Sequence, residues 1–184
     1  MTITRDDLLY ACSNEVTNIC ATAGALRLGD LISRMAEALL AQRPLVGICV
    51  LVVKNGKILL GKRKGSHGAG EYAAPGGHLE HLESFDVCAS REVMEETGLV
   101  IGPPRFLRAM NATQYAPKHY VDLAFVAEWI SGEPEVREPD KVERWDWYLP
   151  DNLPMPLFAM LPTAILAMRN ALPHYATCVD KHPA

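Results

Sequence analysis

Residues 77–99, GHLEHLESFDVCASREVMEETGL, hold the side chains in this chain best placed to do chemistry. Written as a pattern they read G-x5-E-x7-R-E-U-x-E-E-x-G-U, where U is an apolar residue. The fixed positions are Gly77, Glu83, Arg91, Glu92, Glu95, Glu96 and Gly98, and the apolar ones are Val93 and Leu99. Seven fixed residues at roughly 6–7% usage each match by chance in far fewer than one in about 10⁶ windows. Glu92, Glu95 and Glu96 stand at i, i+3 and i+4. That crowding is unfavourable on a helix unless something positive sits on it. Carboxylates with a backbone carbonyl make an all-oxygen site. Hard cations such as Mg²⁺ prefer oxygen, and Mg²⁺ binds substrate phosphates while keeping several waters.

Local structure has to aim these groups. A helix turns about 100° per residue, which puts the three glutamates on one face. Ser84 is a good N-cap before the run and Gly98 a good C′ residue after it, so the spacing predicts a helix over 85–97. Ahead of it, Pro75-Gly76-Gly77 reads as a tight turn with carbonyls free to face outward. Arg91 is i−4 to Glu95 and can orient that carboxylate through an ion pair. A Glu-rich helix face is most often plain solvated surface. That reading suits any one glutamate but does not explain the Gly, Arg and Glu spacing together.

The segment resembles the Nudix box of the Nudix hydrolases, without departure at any defining position. The resemblance runs from about Val46 to Phe158. The stretches LLGKRKGSHGAGEYAAPGGHLE and EPDKVERWDWYLPDNLPMPLF are similar to the branch that holds MutT-type nucleoside triphosphate diphosphatases of plants and animals. It implies an α/β fold: an α/β/α sandwich around a mixed β-sheet, acting on a nucleoside diphosphate linked to another group. It also implies Glu92 and Glu96 as the main metal ligands, Glu95 as a further ligand or a base, and the Gly76 carbonyl in the first shell. Glu83 and Arg91 support them. The implied cofactor is Mg²⁺, with Mn²⁺ able to substitute, and the implied assembly is a homodimer.

At 184 residues the chain is long enough for one domain with its own core. The formal net charge of −4 argues against general binding to nucleic acid or to an anionic membrane. The charge is uneven, however. Lys54, Lys57, Lys62, Arg63 and Lys64 precede the acidic box with no acid among them. Cations beside an acidic metal site suit a polyphosphate, whose oxygens divide between the two. Lys54 and Lys57 read as strand-edge charges. Lys62 and Arg63 lead into the glycine loop and are the phosphate candidates. The five cysteines, Cys12, Cys20, Cys49, Cys88 and Cys178, show no paired spacing, which points to reduced thiols and a cytoplasmic protein. No apolar run reaches transmembrane length, and MTITRDD lacks the layout of a signal peptide.

Three segments follow from the patterning: an N-terminal helical extension over 1–44, the Nudix-like domain over 45–172, and a tail over 173–184. In the extension, Leu28, Leu31, Ile32, Met35 and Leu39 keep helical spacing. Val46–Val53 is a buried strand, Asn55-Gly56 a hairpin turn and Lys57–Lys62 the return. Residues 65–70 form a loop but not a P-loop, because Glu71 stands where Lys is needed. Strands are expected over Arg105–Ala112, His119–Ile130 and Val142–Leu149. A last helix begins at Pro162 and ends near Leu172.

His78 and His81 are spaced like zinc ligands but have no third N or S donor in reach. In the diphosphatases that the chain resembles, the position of His78 faces substrate, so His78 and its neighbour Gly77 are expected there. His81 is expected at the surface. The WDWY strand borders the nucleobase pocket in the resembling branch, which makes Trp147 the expected shelf for a base. Trp145 fits the core equally well. Glu138 or Glu143 is the expected acid from outside the box. The function expected is Mg²⁺-dependent hydrolysis of a nucleoside triphosphate to monophosphate and pyrophosphate. A dinucleotide or nucleotide-sugar pyrophosphatase, a prenyl diphosphate hydrolase and a non-catalytic nucleotide sensor stay open.

Overall fold

The computed structural model describes residues 34–35, 43–65, 68–114, 116, 118–170 and 174–177. The helical spacing read in the N-terminal extension lies outside them, apart from Arg34 and Met35, which are helical.

The chain from Leu45 onward builds one mixed sheet. Strands β1 (Leu45–Lys54) and β2 (Lys57–Arg63) form a hairpin across Asn55 and Gly56, both with positive φ, at 52° and 73°. An Asn-Gly pair adopts that geometry because its twist matches the strands it joins. Next come β3 (Tyr72–Ala73), β4 (Gly76–His78), helix α1 (Phe85–Thr97), β5 (Val100–Ile101), β6 (Arg105–Ala112), β7 (Tyr120–Ser131), β8 (Val142–Tyr148), helix α2 (Leu161–Asn170) and β9 (His174–Thr177). The main order is β3-β2-β1-β7-β6-β9, with β4 on β1, β5 on β7 and β8 on β2. β1–β7 and β6–β9 are parallel and the other pairs antiparallel.

β1 is buried on both faces, as its nearly unbroken apolar run requires. Ile48, Val50 and Val52 pack with Val93, Leu99 and Phe125 under α1. Leu51, with Ile58, Leu60 and Val126, packs under α2 against Leu161, Ala164 and Ile165. These two apolar layers make the α/β/α sandwich.

Two readings change. Pro75-Gly76-Gly77 is not a free-standing turn: Gly76–His78 is a strand paired to β1. The residues expected as a tail supply β9, which adds in parallel to the otherwise open edge of β6.

Candidate active site

α1 begins and ends where its caps dictate. Ser84 Oγ accepts from the Val87 N–H at 3.4 Å, and Gly98 closes the helix with φ 74°. The helix lies very close to β4. A Cβ on Gly77 would sit 2.3 Å from the Glu92 carboxylate, so that carboxylate lies directly over the glycine. A Cβ on Gly76 would sit 2.0 Å from the Ile48 carbonyl oxygen, so only glycine fits beside β1 there. The Gly76 N–H donates to Glu96 Oε2 at 3.1 Å. Two acids of the box are thus seated on a two-glycine ledge.

Arg91 is the hub of the remaining acids. Its Nε and Nη2 donate to the two oxygens of Glu83 at 2.8 and 2.9 Å, a two-pronged grip. Nη1 reaches Glu92 Oε1 at 2.8 Å and Glu95 Oε2 at 3.1 Å, and Nη2 reaches the His78 carbonyl at 3.2 Å. Hydrogen bonds from Arg91 hold the Glu83 carboxyl down at about 2. The same bonds keep Arg91 firmly protonated. Glu83 and Glu92 are largely covered, whereas the Glu95 side chain is 57% exposed.

Glu96 behaves differently. Burial pushes its carboxyl up to about 7, the Gly76 N–H opposes this, and the charges of Glu138 and Glu92 raise it further. Glu138 arrives on the loop before β8. Its Oε1 pairs with Lys141 at 2.8 Å, while its Oε2 is buried and accepts no hydrogen bond. Among the described residues no three His, Cys, Asp or Glu side chains already form a metal cage. The donor set nevertheless fits a hard divalent cation. Crowded oxygens, one of them orphaned, and a carboxyl that resists ionisation are relieved by added positive charge.

A pocket of ≈150 Å³ opens beside this cluster, lined among others by Arg63, Gly76, Gly77, His78, Asp122 and Phe158. Its origin lies in strand register. His78 faces Gly47 on β1, and Gly47 faces Asp122 on β7, so the three stand in line across three strands. Gly47 has no side chain, and the space above it remains open. His78 stacks on Tyr120 with ring centroids 5.7 Å apart, and the Arg63 guanidinium lies 4.5 Å from the Phe158 ring centroid. Behind Asp122, fully buried Arg108 donates to Asp122 Oδ2 at 2.7 Å and to the Met160 carbonyl at 2.7 Å. Burial pushes the Asp122 carboxyl up, and Arg108 opposes it. The Cys49 thiol, also in the lining, is raised to about 12, mainly by burial and then by Asp122.

The family model of the NUDIX domain matches residues 41–174. This chain belongs to the Nudix family. It is 37% identical over 106 residues to the NAD-capped RNA hydrolase NudC of Stutzerimonas stutzeri, across 57% of this chain and 37% of that one. It is 32% identical over 106 residues to the oxidized purine nucleoside triphosphate hydrolase of Danio rerio, across 57% of this chain and 66% of that one. Among solved structures, the MutT NUDIX hydrolase of Burkholderia pseudomallei superposes with TM-score 0.65 at 35% identity, covering 68% of this chain and 98% of that one. The chain spans between about a third and two thirds of the length of the curated relatives it matches.

Within this Nudix domain the structure brings Glu83, Arg91, Glu92, Glu95 and Glu96 together, with Gly76 and Gly77 against them. Arg63, Gly77 and His78 reach the pocket. Lys62 does not line it but pairs with Glu143 at 3.0 Å. Glu143 is held by Lys62 and Arg144, so of the two loop candidates Glu138 is the one beside Glu96. Trp147 also lies outside the lining. It packs on the core under α1, with the Lys54 ammonium 5.6 Å from its ring. Trp145 is core, its ring lying flat across Gly61. His81 is exposed as expected. Cys88 is buried and its thiol is raised to about 12, mainly by burial, which suits packing rather than chemistry.

Asp122, Arg108 and Lys141 are the residues that sequence reasoning missed. A signal existed for the first two. β7 is buried on both faces, so an acid inside YVDLAFV has to be buried and paired. Arg108 stands between Leu107 and Met110 on the neighbouring strand, where a β-bulge shifts the register between Phe106 and Arg108.

Proposed function

We propose that the chain is a metal-dependent hydrolase that cleaves a nucleoside triphosphate to the monophosphate and pyrophosphate. One observation supports it above the others. The acid cluster of Glu92, Glu96 and Glu138 and the pocket holding Arg63 and His78 meet at the same short strand, β4. A ligand with an anionic chain at one end and a ring at the other fits that layout.

Mg²⁺, with Mn²⁺ as a substitute, would be held by Glu92, Glu96 and the Gly76 carbonyl, with Glu95 or Glu138 adding an oxygen, and would neutralise phosphate charge and acidify a bound water. The chain's own residues do the positioning. Arg91 locks Glu83 and Glu92 in one arrangement. Arg63 receives a phosphate oxygen that the metal leaves uncovered, and His78 holds another. Glu95 is exposed on the same helix face, which supports it as the group that takes a proton from the attacking water. No side chain need form a covalent bond to the substrate.

A second reading, a dinucleotide or nucleotide-sugar pyrophosphatase, is favoured by the name of the NudC relative. That name also sets an RNA-linked substrate against the expectation of no nucleic acid. The test is a screen of nucleoside triphosphates, NADH, ADP-ribose and an NAD-capped oligonucleotide, with products identified. Pyrophosphate and monophosphate from a triphosphate support the first reading. Turnover of NADH or ADP-ribose alone replaces it with the second.

A further inference from the structure

Asp122 is a buried acid to which the hydrolytic reading gives no role. It is 5% exposed and lines the pocket, while its partner Arg108 is fully buried behind it and takes no part in the lining. The carboxylate is held from one side only. Arg108 Nη2 occupies Oδ2 at 2.7 Å, and among the described residues Oδ1 accepts no hydrogen bond. Oδ1 instead lies 3.6 Å from where a Cβ on Gly47 would be, at the open space between Asp122 and His78. The pocket therefore presents one fixed acceptor oxygen, backed by a cation that pins it. The same lining carries Tyr120, Phe158 and Met160 as aromatic and apolar groups.

A carboxylate is acceptor-only and repels anions. This end of the pocket thus excludes a phosphate and favours a flat ring with an N–H donor. Arg63 and the two-glycine ledge lie toward the other end, two strands from Asp122 at about 4.8 Å each.

We propose that Asp122 is the specificity-determining residue of this site, its second oxygen accepting a hydrogen bond from the exocyclic amino group of an adenine or cytosine ring, at purine position 6 or pyrimidine position 4. Replacing that amino group by an oxo group sets two acceptors face to face, and the buried oxygen loses its partner. Sites of this kind discriminate strongly, because the bound ring itself shuts water away from the polar group that has lost its partner. The inference rests on the nucleotide-hydrolase reading above and adds the chemical class of the ring.

The test compares kcat/KM for ATP against ITP and CTP against UTP, at alkaline pH, in the wild type, Asp122→Asn and Gly47→Val. The wild type should prefer the amino member of at least one pair by roughly tenfold or more. Asp122→Asn can turn a donor toward the ring, so that preference should vanish or reverse in favour of the oxo member. Gly47→Val leaves the Arg108–Asp122 pair intact and fills the space before Oδ1. It serves where Asp122→Asn does not fold, and it too should erase the preference, chiefly through KM. Either folded variant keeping the wild-type ratio overturns the proposal, as does a wild type with no preference in either pair. If no nucleotide is hydrolysed, the reaction assignment has failed. Calorimetric binding of AMP, IMP, CMP and UMP to the wild type then tests Asp122 by itself. Tighter binding of AMP than IMP, or of CMP than UMP, supports it, and equal binding within both pairs overturns it.

Discussion

The Glu92 carboxylate lies over Gly77 with no room for a single methyl group between them: a Cβ there would be 2.3 Å from both carboxylate oxygens. The helix of acids and the strand bearing His78 are therefore registered against each other by a glycine. In Gly77→Ala the obstructed group is the end of a flexible side chain, so Glu92 has to swing away while β4 can keep its place. Turnover should fall by roughly tenfold to a hundredfold, in the range that displaced metal-site supports cost, with little change in melting temperature. Gly76→Ala is the contrast, because its Cβ meets the Ile48 backbone oxygen at 2.0 Å. It should unfold at clearly lower temperature. Paired activity and thermal-melt measurements check both.

Arg91→Lys keeps the charge but loses the two-pronged contact with Glu83 and the further reach to Glu92 and Glu95. An ammonium is a point charge and cannot reproduce a planar fork. Turnover should drop by roughly tenfold to a hundredfold and the midpoint of the Mg²⁺ titration should rise. Wild-type kinetics in Arg91→Lys would show that charge alone suffices.

Glu96 gives a pH signature. Its carboxyl titrates near 7 in the folded chain against an ordinary value of 4.5. Between these values the folded chain holds a proton that the unfolded chain has released. Stability therefore falls as pH rises through that window, and the full penalty is present above it. The cost is at most roughly 3–4 kcal/mol. The metal-free melting temperature should decline from about pH 5 to about pH 8, more steeply in the wild type than in Glu96→Gln. Mg²⁺ should stabilise the wild type more at the alkaline end, where the carboxylate is ionised. Parallel pH profiles in the two proteins would contradict this.

Arg108 and Asp122 stabilise the fold only as a pair. Arg108→Met leaves a buried carboxylate without its cation and should cost about 3–5 kcal/mol. Adding Asp122→Leu removes the stranded charge and should recover a large part of that loss, though not the bond from Arg108 to the Met160 carbonyl. Denaturant melts of the single and double variants give the coupling directly.

Much of this was legible in the sequence because it is local. Ser84 and Gly98 bound α1 at Phe85–Thr97, as their cap chemistry predicts, and Asn55-Gly56 makes the first hairpin. The box acids converge because one helix carries most of them. What escaped depends on register between strands distant in sequence. Nothing near Pro75 indicates that Gly76–His78 pairs with β1, and nothing near Asp122 reveals that Gly47 opens a space beside it. Trp147 shows the same limit. Alternation places it on a face with Trp145, but only the packed sheet shows that it packs, half-buried, against the cluster that holds Cys88, Ala89 and Val93 of α1.

The central claim is that the acids on α1 hold a divalent cation that drives cleavage of a phosphoric anhydride. Its most direct test is the rate of pyrophosphate release from a nucleoside triphosphate as Mg²⁺ is titrated, in the wild type and in Glu92→Gln and Glu96→Gln. The wild type should require the metal and fall silent in EDTA. Each variant should lose roughly a hundredfold or more in turnover, since each removes a hard anionic oxygen, while keeping a folded far-UV and thermal signature. Full activity in EDTA, or near-wild-type release of pyrophosphate by either folded variant, would contradict the account.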